Sequence, residues 1–412
     1  MASNFLRNFS KLNYNSVRKA SNLNEVVIAS AVRTPMGSFQ SSLSSLPATK
    51  LGSIAIKSAV EKAGIDASDV QEVYMGNVLQ AAQGQAPARQ AALGAGLKTS
   101  TPCSTINKVC ASGMKSIMLA SQSIMCGHQD VMVAGGMESM SNAPFVMPRL
   151  PPVYGGVKMI DLIVHDGLTD AYGKFHMGIC GEDTAKKHSI SRQEQDAYAI
   201  ESYTRSAKAT NEGRFKDEIV DVVIEGKRGK PDITVSEDEE FKKVNFDKIP
   251  KLKAVFQAEN GTVTAGNAST LNDGAAALCL MSAQAAINFR LKPLARIVGF
   301  ADAAVEPIDF PVAPAFAIPK ALKMAGVRDE QIALWEINEA FSVVVLANMK
   351  LLGIDPAKIN VDGGAVSLGH PIGMSGARIV AHLAHRLKAG EFGCAGICNG
   401  GGGASALVVE KL

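Results

Sequence analysis

The sequence predicts an α/β fold of two similar halves, with a polar segment inserted into the first. Three observations carry that expectation. Strand-like and helix-like runs alternate, the same succession of elements recurs in the second part of the chain, and a charge-rich stretch between the copies matches neither.

In the first copy, strands are read over 26–31 (VVIASA), 70–76 (VQEVYMG) and 130–135 (DVMVAG). Helices are read over 48–63 and 111–126. In the second of these Met114, Ile117, Met118, Ile124 and Met125 share one face, and Gly127 supplies a stop. The repeat follows. Residues 59–64 (AVEKAG) and 321–326 (ALKMAG) each precede an apolar strand, at a displacement of 262 positions. Ser112-Gly113 and Ser375-Gly376 each open a helix that ends at a glycine, Gly127 and Gly390, at a displacement of 263. Each helix leads into a short apolar strand ending in glycines, VAGG (133–136) and ICNGGGG (397–403). The halves are therefore drawn as 25–142 with 262–290, and 291–412. The insert, 143–261, contains EGKRGKP (225–231), SEDEEFKK (236–243) and KIPKLK (248–253). It reads as a binding lobe held by a rigid scaffold or as solvated decoration.

Composition limits the function classes. A net charge of +3 makes no demand for nucleic acid, and no uncharged apolar run is long enough to span a bilayer. Seven scattered cysteines, with no CxxC pair and no zinc-like Cys/His spacing, argue against a disulfide framework or a structural metal. Residues 1–24 carry Arg7, Lys11, Arg18 and Lys19, no acidic residue, and Phe5, Leu6, Phe9 and Leu12 at helical spacing. That is the composition of a mitochondrial transit peptide, the alternative being a disordered basic tail.

The candidate chemistry sits where the two copies correspond. Cys110 lies two residues before the helix opened by Ser112-Gly113, so it is either apolar filler or a thiol favoured as thiolate by a helix N-terminus. The matching loop of the second half, GHPIGMSG (369–376), carries His370, a candidate acceptor for the thiol proton. Cys398 precedes a glycine tetrad that could admit a substrate to backbone amides or cradle a phosphate. Asn338, in EINEAF (336–341), is a turn residue or the holder of a water for an oxyanion.

Together NKVCASGMK, NEAF, GHPIGMSGAR and CNGGGGASA resemble the signature blocks of the thiolase family, in its order and spacing from about residue 25 onward. The resemblance implies a layered αβαβα core. It also implies reversible cleavage of acetoacetyl-CoA by coenzyme A, or Claisen condensation of two acetyl-CoA, in the mitochondrial matrix. Cys110 would be the nucleophile, His370 its activator, Asn338 the holder of an oxyanion-hole water and Cys398 the acid/base. The N–H groups of Cys110 and Gly400 would form a second oxyanion hole.

The resemblance further places His176 and Met177 over the acyl group. Tyr203, Lys243, Val244, Asn245, Lys248 and Ser269 would contact coenzyme A, with Lys243 and Asn245 standing where Arg and Asp are usual. Phe310-Pro311 resembles a pocket feature for 2-methyl-branched substrates. Potassium would be held by Tyr203, Ala265, Gly266, Ala268 and Val366, Gly266 replacing the usual alanine. No redox cofactor is implied, and the family's assembly is a homotetramer. The rival readings are a degradative thiolase for longer 3-ketoacyl chains, a ketoacyl synthase, which Cys398 argues against, and a non-catalytic acyl-CoA binder.

Overall fold

The computed structural model describes residues 23–149, 154–226 and 229–412. The expected leader, 1–24, lies outside them except for its last two residues. Nine strands form the main path of a ten-stranded sheet: β1 (Val26–Arg33), β2 (Glu72–Gly76), β3 (Cys103–Ile106), β4 (Val131–Ser139), β5 (Asn272–Ser282), β6 (Ala295–Ala304), β7 (Ile332–Ile337), β8 (Phe392–Asn399) and β9 (Gly403–Lys411). Their spatial order is β7-β8-β9-β6-β1-β5-β4-β2-β3, and the short strand Gly37–Ser38 pairs with β5.

The order is symmetric about the antiparallel β1–β6 pair. One half runs outward as β1-β5-β4-β2-β3. The other runs as β6-β9-β8-β7, and a parallel bridge from Trp335 to Ile359 takes the fifth place. Pairing sense matches step by step: two antiparallel contacts, then two parallel ones, in each half. The expected duplication is thus present in the backbone.

Helices fill three layers around these strands. Outside the first half packs α1 (Ala48–Ala63), whose Leu51, Ala55, Ile56 and Ala59 join Val73, Met75 and Val133 in one apolar cluster. Outside the second packs α5 (Pro314–Ala325) with the later helix α6 (Ser342–Leu352). Between the halves lie α2 (Ser112–Met125) and α7 (Ser375–Arg386), which share the central cluster. The sequence echo AVEKAG/ALKMAG has a local cause. Each ends its helix on a left-handed glycine, Gly64 at φ 72° and Gly326 at φ 69°, which caps the last carbonyls without a Cβ clash. The helices expected to run to Gly127 and Gly390 end earlier, at Met125 and Arg386, and those glycines shape the turns beyond.

The central helices meet on glycine. A Cβ at Gly113 would stand 2.9 Å from the nitrogen of Ala377, and one at Gly376 would stand 2.7 Å from that of Met114. Under the 263-residue displacement these contacts are images of one another, as a pseudo-twofold axis requires. Both helix starts are therefore drawn to one place.

The two halves differ in one connection. Gly400–Gly402 alone turn β8 into β9, whereas residues 140–271 join β4 to β5. This long crossing contains helices α3 (Met177–Lys187) and α4 (Arg192–Asn211) of the inserted lobe. A buried charge network seats the lobe. Arg33 of β1 donates to Glu218 at 2.6 Å and to both oxygens of Asp238 at 2.7 and 2.9 Å. Glu218 also meets His382 of α7 at 2.8 Å, and His382 faces Asp362 at 3.3 Å. Arg386 bonds Asp362 at 2.6 Å, and Arg214 of the lobe bonds it as well. Removing one member would strand a buried charge, the costly way to break such a network.

Candidate active site

Cys110 stands in a tight elbow between β3 and α2. Asn107 Oδ1 accepts from the N–H of Val109 at 3.0 Å, and Ser112 Oγ accepts from that of Lys108 at 2.8 Å. The turn forces Val109 to φ 48°. A β-branched residue in that region is strained, and such strain gathers at functional sites. Nothing in the local sequence announces it.

The expectation that a helix start would favour thiolate needs correction. Burial pushes the Cys110 thiol up to about 12, although the N–H groups of Gly400 and of Cys110 itself pull the other way, and nearby Glu138 adds to the rise. Desolvation outweighs the amides, so Cys110 rests as a thiol. The same contacts show that two amides, one from each half, are aimed at its sulfur.

Cys398, in β8, is buried, and burial lifts its thiol well above the ordinary value. The next contribution comes from Cys110, so the two thiols lie within electrostatic reach of one another. Gly400 opens the turn beyond, where a Cβ would lie 3.4 Å from Met177 Sδ and 3.7 Å from Val109 Cγ1. The elbow, the glycine turn and the lobe therefore meet at one point.

His370 is held from both sides. Its N–H donates to Asn272 Oδ1 at 3.0 Å, and its Nδ1 faces Ser375 Oγ at 2.5 Å. Ser375 spends its proton on the Pro371 carbonyl at 3.0 Å, so it accepts from Nδ1–H. That tautomer leaves Nε2 as an acceptor, buried and without a partner among the described residues. Burial, aided by Arg378, lowers the imidazole to about 4, keeping it neutral. Gly373 of the same loop donates to Glu138 at 3.0 Å, and Glu138 also takes the N–H groups of Val78 and Leu79.

Asn338 follows β7 and is fully buried, yet neither its amide nitrogen nor its oxygen has a partner among the described residues. Glu339 beside it is saturated by Tyr198, Ser202, Asn360 and the N–H of Val366. Behind the site, the Asn272 side-chain amide and the Glu138 carboxylate hold the His370 loop, and the Glu339 carboxylate holds the N–H of Val366. Glu339 sits inside a motif already recognisable in the sequence, whereas Asn272 and Glu138 carry no local signal.

The lobe adds an apolar wall. His176 caps α3 through Nδ1, 3.1 Å from the Gly178 N–H, and stacks on Phe256 at 4.6 Å. Met177 and Phe310 share an apolar cluster with Cys398, and the Pro311 carbonyl accepts from Asn348 at 2.8 Å. Tyr203 and Val366 are buried together in the central cluster, with Val244 against it. Ser269 is tied to the NEAF strand end through Ala340. Lys243, Asn245 and Lys248 lie exposed on the lobe surface. At Gly266 a Cβ would come within 2.8 Å of Leu252 Cδ1, the movable end of a side chain, so an alanine would need only a small shift of Leu252. No donor among the described residues reaches the carbonyls of Ala265, Gly266, Ala268 or Val366.

Comparison with known proteins agrees with this geometry. Residues 26–284 match the thiolase N-terminal domain and residues 291–411 the thiolase C-terminal domain. The mitochondrial acetyl-CoA acetyltransferase A of Xenopus laevis is 72% identical over 95% of this chain and 93% of its own. The mitochondrial acetyl-CoA acetyltransferase of Homo sapiens is 69% identical over 95% and 91%. The crystal structure of the Acat5 thiolase from Ascaris suum in complex with coenzyme A superposes with a TM-score of 0.91 at 48% identity, covering 94% of this chain and all of that one. With paired folds, paired helix starts and matches to both domains, the chain belongs to the thiolase family.

Proposed function

We infer that this chain is a mitochondrial acetyl-CoA C-acetyltransferase, cleaving acetoacetyl-CoA with coenzyme A and running the reverse condensation. The observation that carries the reading is that a thiol from each half stands within electrostatic reach of the other, one of them facing two backbone amides. Membership of the family and the names of its relatives support the activity and the mitochondrial location.

The resting protonation states suit cleavage. Cys110 passes its proton to His370 Nε2 as its sulfur attacks the keto carbon of acetoacetyl-CoA. The oxyanion forms where the N–H groups of Cys110 and Gly400 converge. The carbon–carbon bond breaks, leaving acetyl-Cys110 and the enolate of acetyl-CoA, which takes a proton from Cys398. The orphan amide of Asn338 supports a water-mediated contact to the enolate oxygen. Coenzyme A then gives its thiol proton to the Cys398 thiolate and attacks acetyl-Cys110. The departing sulfur recovers its proton from His370, and every group returns to its starting state.

Coenzyme A would lie along the lobe. Lys243, Asn245 and Lys248, exposed there, suit its phosphates, while Tyr203, Val244 and Ser269 suit its inner length. His176 and Met177 would cover the acyl group. Potassium would be held by the carbonyls of Ala265, Gly266, Ala268 and Val366 with the Tyr203 hydroxyl, bracing the lobe against the NEAF segment. Phe310, 2% exposed, stands as a wall beside Met177, which favours short or 2-methyl-branched acyl groups over long ones. A homotetramer, the family's assembly, is part of the same reading.

The test is a substrate series. Acetoacetyl-CoA should be thiolysed rapidly, its 2-methyl derivative comparably, and a long-chain 3-ketoacyl-CoA at least tenfold more slowly. Rapid turnover of the long chain alone would reverse the assignment.

A further inference from the structure

An oxyanion hole built from two halves is only as well placed as the contact between them. The Cys110 amide belongs to the elbow of the first half and the Gly400 amide to the turn of the second. Lys108, two residues before the nucleophile, crosses that boundary. Its ammonium donates to Asp302 Oδ1 of β6 at 2.5 Å, to Ser405 Oγ at 2.9 Å and to the Ala404 carbonyl at 3.1 Å. All three N–H donors of a lysine are thus spent. Ala404 is the register partner of Cys398 across the β8–β9 hairpin. Among the described residues no other side chain of the elbow, 107–111, bonds to β9.

Neutralising Asp302 does not require Lys108. Lys115, in the first turn of α2, binds the other carboxylate oxygen at 2.6 Å, and Ser405 donates to the first at 2.6 Å. These ion pairs are half-buried, with side chains about a quarter to a third exposed. The informative bond is the third one, to a backbone carbonyl beside the hairpin that carries Gly400 and Cys398. From this geometry we propose that Lys108 is a positioning residue for acyl transfer. It is a strut that sets the Cys110 sulfur and amide against the Gly400 amide and Cys398, and so aligns an oxyanion hole shared between halves. This rests on the acyl-transfer reading above and names a residue that reading does not use.

The strut predicts a split between two reactions of the same sulfur. Transfer of an acetyl group from acetyl-CoA to labelled coenzyme A needs the aligned hole, whereas alkylation of Cys110 by iodoacetamide does not. Lys108→Met leaves Asp302 paired with Lys115, so the fold keeps no bare carboxylate. In this variant exchange should fall about 100-fold, the scale of losing one oxyanion donor. Cys110 alkylation and the KM for acetyl-CoA should stay within about threefold. Ser405→Ala, which removes one anchor and no charge, should slow exchange about three- to tenfold with alkylation unchanged. It decides the matter if Lys108→Met does not fold. Exchange at the parent rate in either folded variant would overturn the strut, as would exchange and alkylation falling together. If the parent protein showed no exchange, the acyl-transfer reading itself would fail.

Discussion

The two halves share a topology and differ in what they leave unbonded. Asn77 directly follows β2 and Asn338 directly follows β7, the corresponding strand. Asn77 donates to the Met137 carbonyl and to Glu138, at 3.2 and 2.8 Å, and so knits its own half together. The Asn338 side chain bonds to nothing among the described residues. The same residue in the same place is structural in one copy and available for chemistry in the other. The connections differ likewise: three glycines present an amide in the second half, while residues 140–271 build a lobe in the first. Duplication supplied two equal frames, and function lies where they stopped being equal.

The largest break in that comparison comes from Cys110→Ala. It should lose about 10⁴-fold or more in thiolysis, with no acetyl adduct detectable by mass spectrometry after incubation with acetyl-CoA. Cys398→Ala should still acetylate Cys110 but lose about 10²–10⁴-fold in thiolysis, the range of a lost acid/base. Near-normal turnover would remove Cys398 from the proton path. The asparagines should then separate cleanly. Asn338→Ala should cost about 100-fold in kcat with its melting temperature nearly unchanged. Asn77→Ala should instead destabilise by about 1–3 kcal/mol, because Glu138 loses a buried donor. If both variants behaved alike, the contrast between the halves would be illusory.

Smaller effects concern pH. His370, lowered to about 4, is neutral and able to accept a proton above that value. Acylation should therefore hold down to about pH 4 and fail below it, rather than near the ordinary histidine value. His382 behaves oppositely. Burial would lower it, but Glu218 and Asp362 raise it to about 10. Its contribution to stability is complete below its ordinary value of 6.5 and disappears as pH rises through about 10. The melting temperature should decline across that window, and more shallowly in His382→Gln.

Much of this was legible from sequence because its causes are local. A glycine that ends α1 or α5 must follow the last helical residue, so the repeat survives in spelling. Cys110, Asn338, His370 and Cys398 each sit in a short block whose neighbours shape its turn. What escaped depends on distance. The strain at Val109 arises from how the elbow is closed, not from its own residue type. The Cys110 thiol rises because two halves exclude water around it, which no helix-start argument on one segment could weigh. Glu138 reaches Gly373 across 235 positions, and nothing near either residue signals the other.

The buried ions under the lobe also bear on how the chain is made. Arg33 emerges early, Glu218 and Asp238 midway, and Asp362 and His382 near the end. A ribosome delivers these partners in that order, so Arg33 can pair with Glu218 and Asp238 midway, whereas the network closes only when His382 arrives in the final tenth of the polypeptide. Until then Glu218 lacks its histidine, and a product truncated before Asp362 would leave Arg214 without that carboxylate.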